Sequence, residues 1–154
     1  MDLLRDAIEY VVKHRRKGVE CPCCGQFAKT YKRKLNSGMA RTLIVCWPMF
    51  REYPGRYLDV VNYCAKNHDF IAGDHGKLVA WGLLEKKPGA RNDGSSRNSH
   101  YRLTSLGKAF VLNQQRVPKY FYFYNNQALD YSNETISITE ALGSHFNYSE
   151  LMVA

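Results

Sequence analysis

An apolar face repeats at helical spacing in three consecutive stretches of the chain, residues 39–50, 57–66 and 74–81. This periodicity predicts three helices, each with one side turned toward a core. The third stretch ends at Gly82, a residue type suited to the left-handed conformation that closes a helix. We therefore expect three successive core helices in the centre of the chain.

The pattern changes to that of strands directly after the third helix. Residues 83–86 predict a strand, residues 88–100 have the Gly, Ser, Asn and Arg content of an exposed loop, and residues 101–103 alternate as a returning strand. Thr104 is placed to cap a further helix over 105–115. The expected order is helix, strand, long polar loop, strand and helix.

Both ends of the chain add elements to this centre. Apolar positions within residues 4–12 predict a first helix, which is followed by a turn and a basic ribbon. Five consecutive aromatic residues at 120–124 predict a strand, Ile136 and Ile138 a second short strand, and a last helix is predicted over 139–151. The aromatic side chains can stack on bases, but alternating burial within a sheet is the expected arrangement.

Charge is unevenly distributed along the chain, which has a net charge of +8. Residues 1–118 hold 21 Lys and Arg against 10 Asp and Glu, whereas residues 119–154 hold one against four. A basic body with an acidic tail is typical of a nucleic-acid binder with a separate C-terminal function; a basic protein without that role is the plain alternative. No apolar run approaches the length of a membrane span and the N-terminus lacks the layout of a signal peptide, so we predict a cytoplasmic protein.

The chain has five cysteines, an odd count that argues against a disulfide framework. Cys21 and Cys24 belong to a Cys-Pro-Cys-Cys-Gly turn with the spacing of a zinc knuckle, in which a turn points two thiolates at one metal ion. A structural zinc site needs further ligands, for which the candidates are His14, His68 and His75. A tight turn with free thiols explains the same residues, while Cys46 and Cys64 are expected to be small buried thiols in helices.

Catalytic patterns are missing from the sequence. Residues 73–77 lack the spacing of a phosphate-binding loop, and the adjacent Asp74 and His75 have no Ser or Cys placed by a motif to complete a nucleophile. We therefore predict that the protein is not an enzyme. Apart from zinc at the knuckle, the sequence indicates no cofactor.

The region around the polar loop resembles the winged helix-turn-helix regulators of the MarR and PadR type. The resemblance lies in Gly82-Leu83-Leu84-Glu85 at the strand entry and in Tyr101-Arg102-Leu103-Thr104-Ser105-Leu106-Gly107 at the strand exit. It implies an α+β fold with a winged helix-turn-helix core. In that fold the helix over 74–81 would be the recognition helix and residues 88–100 would be the wing.

The chain accordingly divides into three segments that are expected to form one compact unit. Residues 1–36 hold the N-terminal helix, the cysteine knuckle and the basic ribbon. Residues 37–117 form the winged-helix domain, and residues 118–154 form a C-terminal strand–strand–helix extension. This extension is the main sequence candidate for a homodimer or partner surface, because its aromatic and apolar residues exceed what one exposed strand and a short helix need.

A second resemblance concerns the setting of the protein. The knuckle, the strand entry after Trp81 and the tail from Val117-Pro118-Lys119-Tyr120 to Leu151-Met152 are similar to those of small uncharacterised bacteriophage and prophage proteins. This resemblance implies that the protein acts in the cytoplasm of a bacterial host. It gives no information about a mechanism.

Two functional hypotheses follow. The first is a regulator or accessory factor that binds double-stranded DNA, with wing arginines in the minor groove and the basic ribbon on phosphates. Its expected DNA contacts are Lys29, Lys32, Arg33, Lys34, Arg41, His75, Lys77, Arg91 and Arg97. The second is a phage-encoded, anti-CRISPR-like inhibitor that binds a host enzyme or defence complex on a winged-helix scaffold. It is favoured by the scarcity of base-reading Arg, Asn and Gln in residues 74–81 and by the elaborate tail.

Overall fold

The computed structural model describes residues 3–68, 72, 74–89 and 99–153, and within them the chain is a mixed α+β protein. The α-helices are α1 Leu4–His14, α2 Ser37–Glu52, α3 Val60–His68, α4 Ser105–Val111, α5 Ile138–Leu142 and α6 Tyr148–Val153. The strands are β1 Val19–Glu20, β2 Phe27–Ala28, β3 Tyr31–Lys34, β4 Leu58–Asp59, β5 Leu84–Lys86, β6 His100–Leu103, β7 Val117–Pro118, β8 Tyr120–Tyr124, β9 Gln127–Tyr131 and β10 Thr135–Ile136. A 3₁₀ helix spans His75–Val79.

Helix α2 forms the centre of the core, and most of its side chains are buried. It begins at Asn36, whose side-chain oxygen accepts the backbone N–H of Met39 at 2.9 Å and so satisfies one of the free donors of the first turn. Helices α3, α4, α5 and α6 all contact it. Each fully buried Leu or Ile contributes about 1.5–3 kcal/mol relative to an exposed one, so the buried face of α2 stabilises the fold. The helix predicted over 39–50 is confirmed and is longer than expected.

The helix predicted over 57–66 begins later than expected, because strand β4 precedes it. The strand pairs antiparallel with β6, and α3 begins at Val60. Asp59 fixes this transition: its carboxylate accepts the backbone N–H of Asn62 at 3.0 Å and the hydroxyl of Ser99 at 2.5 Å. The prediction was wrong for the first residues of this segment, since the strand depends on a partner that lies far along the chain.

The expected recognition helix is also different. Residues 75–79 form a single short 3₁₀ helix rather than an α-helix over 74–81, and Asp74 before it has a left-handed backbone with φ of 54°. Gly82, with φ of 74°, ends the segment as predicted. Trp81 is buried, and its indole N–H donates to the carbonyl of Pro118 at 2.6 Å. The segment is thus shaped by burial against the rest of the chain.

The two strands expected around the polar loop are confirmed. Strands β4, β6 and β5 form one antiparallel sheet in that order, with Leu84 opposite Leu103. The Thr104 hydroxyl accepts the backbone N–H of Gly107 at 2.9 Å and caps α4 as predicted. The helix ends at Val111 and is shorter than the predicted 105–115.

Strand β8 is confirmed, but its partner β9 was not predicted. The two strands form a hairpin whose turn residues Asn125 and Asn126 have φ of 48° and 62°, the conformation that asparagine tolerates in tight hairpins. Strand β8 also pairs with β3, so the sheet order is β3-β8-β9. The strand expected at Ile136 is β10, whereas Ile138 begins a helix.

The last predicted helix is divided into α5 and α6. Gly143, with φ of 68°, lies between them. Leu142 is fully buried and Phe146 and Leu151 pack against the same core, while the Tyr148 hydroxyl donates to the carbonyl of Val111 at 2.6 Å. Leu142, Phe146 and Leu151 therefore cover the core of their own chain. The predicted homodimer is not tested, and it would have to use a different surface.

Candidate nucleic-acid interface

The β3-β8-β9 sheet has one face toward the core. Side chains along a strand alternate between faces, and Phe121 and Phe123 share the inner one. Their ring centres lie 4.7 and 6.3 Å from that of Trp81. Phe123 is buried and Phe121 is half-buried. The expected burial is therefore confirmed for Phe123, whereas Phe121 is half-buried like the neighbouring Tyr120 and Tyr122.

The outer face of this sheet carries the tyrosines of the run together with lysines of the basic ribbon. Tyr120, Tyr122 and Tyr124 alternate with the phenylalanines and so point outward. Lys32 lies opposite Tyr122 and Lys34 opposite Tyr120. The Lys32 ammonium is 4.2 Å from the centre of the Tyr120 ring, which confirms that the two side chains share this face. A cation at that distance from an aromatic ring is held by the ring's negative face.

Two further cations border the outer face. The guanidinium of Arg16, just after α1, lies 4.0 Å from the centre of the Tyr122 ring and forms an ion pair with Asp130 of β9. The hydrogen bond from Arg16 holds the pKa of the Asp130 carboxyl below its usual value. Lys119 lies 5.6 Å from the centre of the Tyr120 ring. We call Arg16, Lys32, Lys34 and Lys119, with the three tyrosines, the basic tyrosine face.

The remaining residues of the predicted DNA site are dispersed. Arg33 lies opposite Phe121 and so belongs to the other side of the sheet. Lys29 precedes the strand and lies beside Tyr31. Arg41 is half-buried on α2, with its guanidinium 4.9 Å from the centre of the Phe146 ring. The wing residues Arg91 and Arg97 lie outside the described residues.

His75 and Lys77 lie apart from the basic tyrosine face, in a cleft of about 500 Å³ between the 3₁₀ helix and the β8–β9 hairpin. Burial lowers the pKa of His75, against the opposing influence of a hydrogen bond with the Ala72 backbone and of nearby Asp59 and Asp74. Its Nδ1 atom is buried and has no hydrogen-bond partner in the part of the chain that the structure describes. Lys77 lies 5.7 Å from the centre of the Phe123 ring. Neither side chain is presented to DNA in the way that side chains on an exposed recognition helix are.

Five members of the basic tyrosine face were missing from the predicted DNA site: Arg16, Lys119, Tyr120, Tyr122 and Tyr124. The available signal was the strict Tyr-Phe alternation at 120–124, which places all tyrosines on one face once a strand is assigned. The pairing of β8 with β3 had no comparable signal, because the two strands are far apart in the chain. The face is therefore formed by segments that are distant in the sequence and meet only in the folded chain.

The cysteine turn, residues 21–25, is closed by backbone hydrogen bonds. The N–H of Gly25 donates to the carbonyl of Cys21 at 2.8 Å, and the N–H of Cys21 donates to the carbonyl of Gln26 at 2.7 Å. Gly25 is left-handed with φ of 73°. The backbone N–H groups of Cys24 and then Cys23 donate to the Cys21 sulfur and lower the pKa of its thiol. The turn thus favours the thiolate, the form that binds metal.

The other expected ligands are not assembled around this turn. Among the described residues, no group of three or more His, Cys, Asp and Glu side chains is placed to hold a metal ion. Each candidate histidine instead packs on a tyrosine ring: His14 on Tyr10, His68 on Tyr63 and His75 on Tyr101. Zinc binding therefore stays a prediction that rests on Cys21 and Cys24.

Cys46 and Cys64 are buried thiols on α2 and α3, as predicted, with sulfur atoms 3.5 Å apart. The hydrogen bond with Cys64 and burial together raise the pKa of the Cys46 thiol. Both cysteines belong to the core and are separate from the knuckle.

Within the described residues, none of the helices combines the length and the apolar character needed to cross a bilayer. Comparison of the chain with protein-family models, curated proteins and solved structures found no match.

Proposed function

We propose that the protein binds double-stranded DNA and that its basic tyrosine face contacts the phosphate backbone. The observation that carries the proposal is the grouping of Arg16, Lys32, Lys34 and Lys119 around three outward tyrosines. Arg16 is paired with Asp130 and Lys119 with Glu134, so Lys32 and Lys34 are the principal phosphate contacts of the proposal. Cations on an exposed sheet neutralise phosphates, and tyrosine hydroxyls can donate to phosphate oxygens. The charge of the chain, +8 overall, supports the same partner.

We further propose that residues 37–117 form a winged-helix scaffold. The order α2, β4, α3, 3₁₀ helix, β5 and β6, with a β4-β6-β5 sheet, supports this interpretation. The wing predicted over residues 88–100 lies mostly outside the described residues. Because the 3₁₀ helix is short and its segment lacks Arg, Asn and Gln, binding would depend on the DNA backbone more than on base edges. This suits an accessory factor or a regulator of low sequence specificity.

Binding to mixed-sequence duplex DNA, measured by fluorescence anisotropy over a range of salt concentrations, tests the proposal. Each lysine that neutralises a phosphate adds roughly 0.9 to the slope of log affinity against log salt. Lys32→Ala/Lys34→Ala should therefore weaken binding at low salt and reduce the slope by about 2.

The matched control is Arg33→Ala/Lys108→Ala, which removes the same charge from exposed positions outside the basic tyrosine face. This variant should keep a slope close to that of the wild type. Equal losses in both double variants would mean that net charge alone drives binding. Undetectable binding of the wild type at low salt would reject the DNA proposal itself.

The inhibitor hypothesis is the second candidate, and one observation favours it. Strand β8 lies against the segment that a winged-helix regulator would present to DNA: Trp81 bonds to Pro118 and packs on Phe121 and Phe123. A scaffold whose reading segment is anchored to its own tail through Trp81 is less free to enter a DNA groove, which favours a host enzyme or defence complex as the partner. Failure to bind DNA would make this the preferred function.

A further inference from the structure

The cysteine turn is a metal half-site that faces outward. Cys21 and Cys24 line the same groove of about 280 Å³ beside α1. Cys24 is exposed and Cys21 is half-buried, so both sulfur atoms can be reached from outside. Backbone hydrogen bonds close the turn, and the two cysteines have the C-x-x-C sequence spacing of a zinc knuckle.

Two thiolates do not complete a zinc site. Structural zinc is almost always bound by four ligands in a tetrahedron. The described part of the chain offers no third His, Cys, Asp or Glu side chain grouped with Cys21 and Cys24. A second copy would supply the missing ligands, because two-fold symmetry brings an identical pair of thiolates to the same ion.

The surroundings of the turn suit a second copy. Helix α1 has an apolar stripe that stays exposed, with Leu4, Ile8 and Val12 at 68%, 55% and 49% of their accessible surface. A surface helix normally buries such a stripe. Val12 also lines the groove together with Leu129 of β9, which is 42% exposed. An apolar surface thus continues from the half-site along α1.

Charge supports the same arrangement. A zinc ion with four thiolates carries surplus negative charge, which nearby cations stabilise. Arg15 and Lys29 line the groove next to the two cysteines, and two-fold symmetry would bring both residues from each copy. The groove therefore has both the ligands and the cations that a shared zinc-thiolate centre requires.

We propose that one Zn²⁺ ion bridges two copies of this chain through Cys21 and Cys24 of each, with the apolar stripe of α1 next to the joint. The thiols that still hold protons release them to the solvent as they bind the metal. The proposal does not depend on DNA binding.

The test uses the full-length protein, freed of metal with a chelator and titrated with Zn²⁺ alone. Sedimentation velocity and native mass spectrometry should show a monomer that becomes a dimer with one zinc per two chains. Cys21→Ser and Cys24→Ser should abolish both zinc binding and the dimer. Cys23→Ser, in the same turn, is the matched control and should keep both.

Three outcomes would overturn the proposal: one zinc bound per monomeric chain, a dimer whose stability is indifferent to the chelator, or no zinc uptake by the wild type. Circular dichroism of the three variants separates loss of metal from loss of fold. Substitution of Co²⁺ for Zn²⁺ in the wild type gives an independent reading, because its absorption spectrum reports tetrahedral thiolate ligation without any mutation.

Discussion

Replacing Gly107 with alanine should destabilise the protein. This is the opposite of the usual effect, because glycine within a helix is typically less stabilising than alanine by about 0.5–1 kcal/mol. The reason is lack of space on α4. A Cβ atom at this position would lie 2.2 Å from the carbonyl oxygen of Leu83 and 2.7 Å from Cδ1 of Leu103. The first of these contacts involves backbone, which cannot rotate away as a side chain can.

The Leu83 backbone is held on both sides. Its N–H donates to the carbonyl of Leu78 and its carbonyl accepts the N–H of Thr104, both at 3.1 Å. Relief of the clash therefore requires helix α4 to move away from the strand entry. Overpacking of this kind costs about 1–3 kcal/mol, and a backbone clash belongs at the upper end. After the gain in helix propensity, we expect a net loss of about 2 kcal/mol.

Urea unfolding followed by tryptophan fluorescence measures this change, and thermal unfolding should show a melting temperature lower by about 4–8 °C. Gly76→Ala is the matched control, because its Cβ would meet only the Tyr101 hydroxyl oxygen at an ordinary 3.5 Å. The control should stay within about 0.5 kcal/mol of the wild type. A Gly107→Ala variant as stable as the wild type would refute the close approach of α4 to Leu83.

Two further predictions concern the segment around the 3₁₀ helix. Trp81→Phe removes the donor to the Pro118 carbonyl and should cost about 1–3 kcal/mol, measured by urea unfolding; an unchanged midpoint would show that the hydrogen bond is unimportant. Because burial lowers the pKa of His75 in the folded state, protonation favours unfolding, and stability should fall as the pH drops below about 6.5. His75→Gln should lose less stability between about pH 7.5 and pH 5, and an identical pH dependence would contradict this assignment.

The sequence predicted best those elements whose signals are local. Helix α2 has a broad apolar face and a capping asparagine, and Thr104 caps α4 where expected. Gly82 ends its segment with the left-handed backbone that its position suggested. These features depend on neighbours within a few residues, so one sequence is sufficient to identify them.

Elements that depend on distant partners escaped prediction. Strand β4 exists because β6 pairs with it, and residues 75–79 form a 3₁₀ helix where helical spacing alone predicted an α-helix. The candidate interface likewise combines residues that the local sequence indicated with residues that only distant contacts bring together. The lysines at 32 and 34 were identified from the basic ribbon, but Arg16 joins them only through its contacts with Tyr122 and Asp130.

The pairing of β3 with β8 also determines when the protein can finish folding. Tyr31 lies opposite Phe123, so β3 leaves the ribosome long before its partner strand has been synthesised. At about 5–20 residues per second, the delay is on the order of 5–20 s. During that interval the lysines and arginine of β3 protect an unpaired strand from association with other chains, because charged side chains oppose edge-to-edge pairing. The charged residues of β3 thus reduce association of the nascent chain with other chains before the folded protein can bind any ligand.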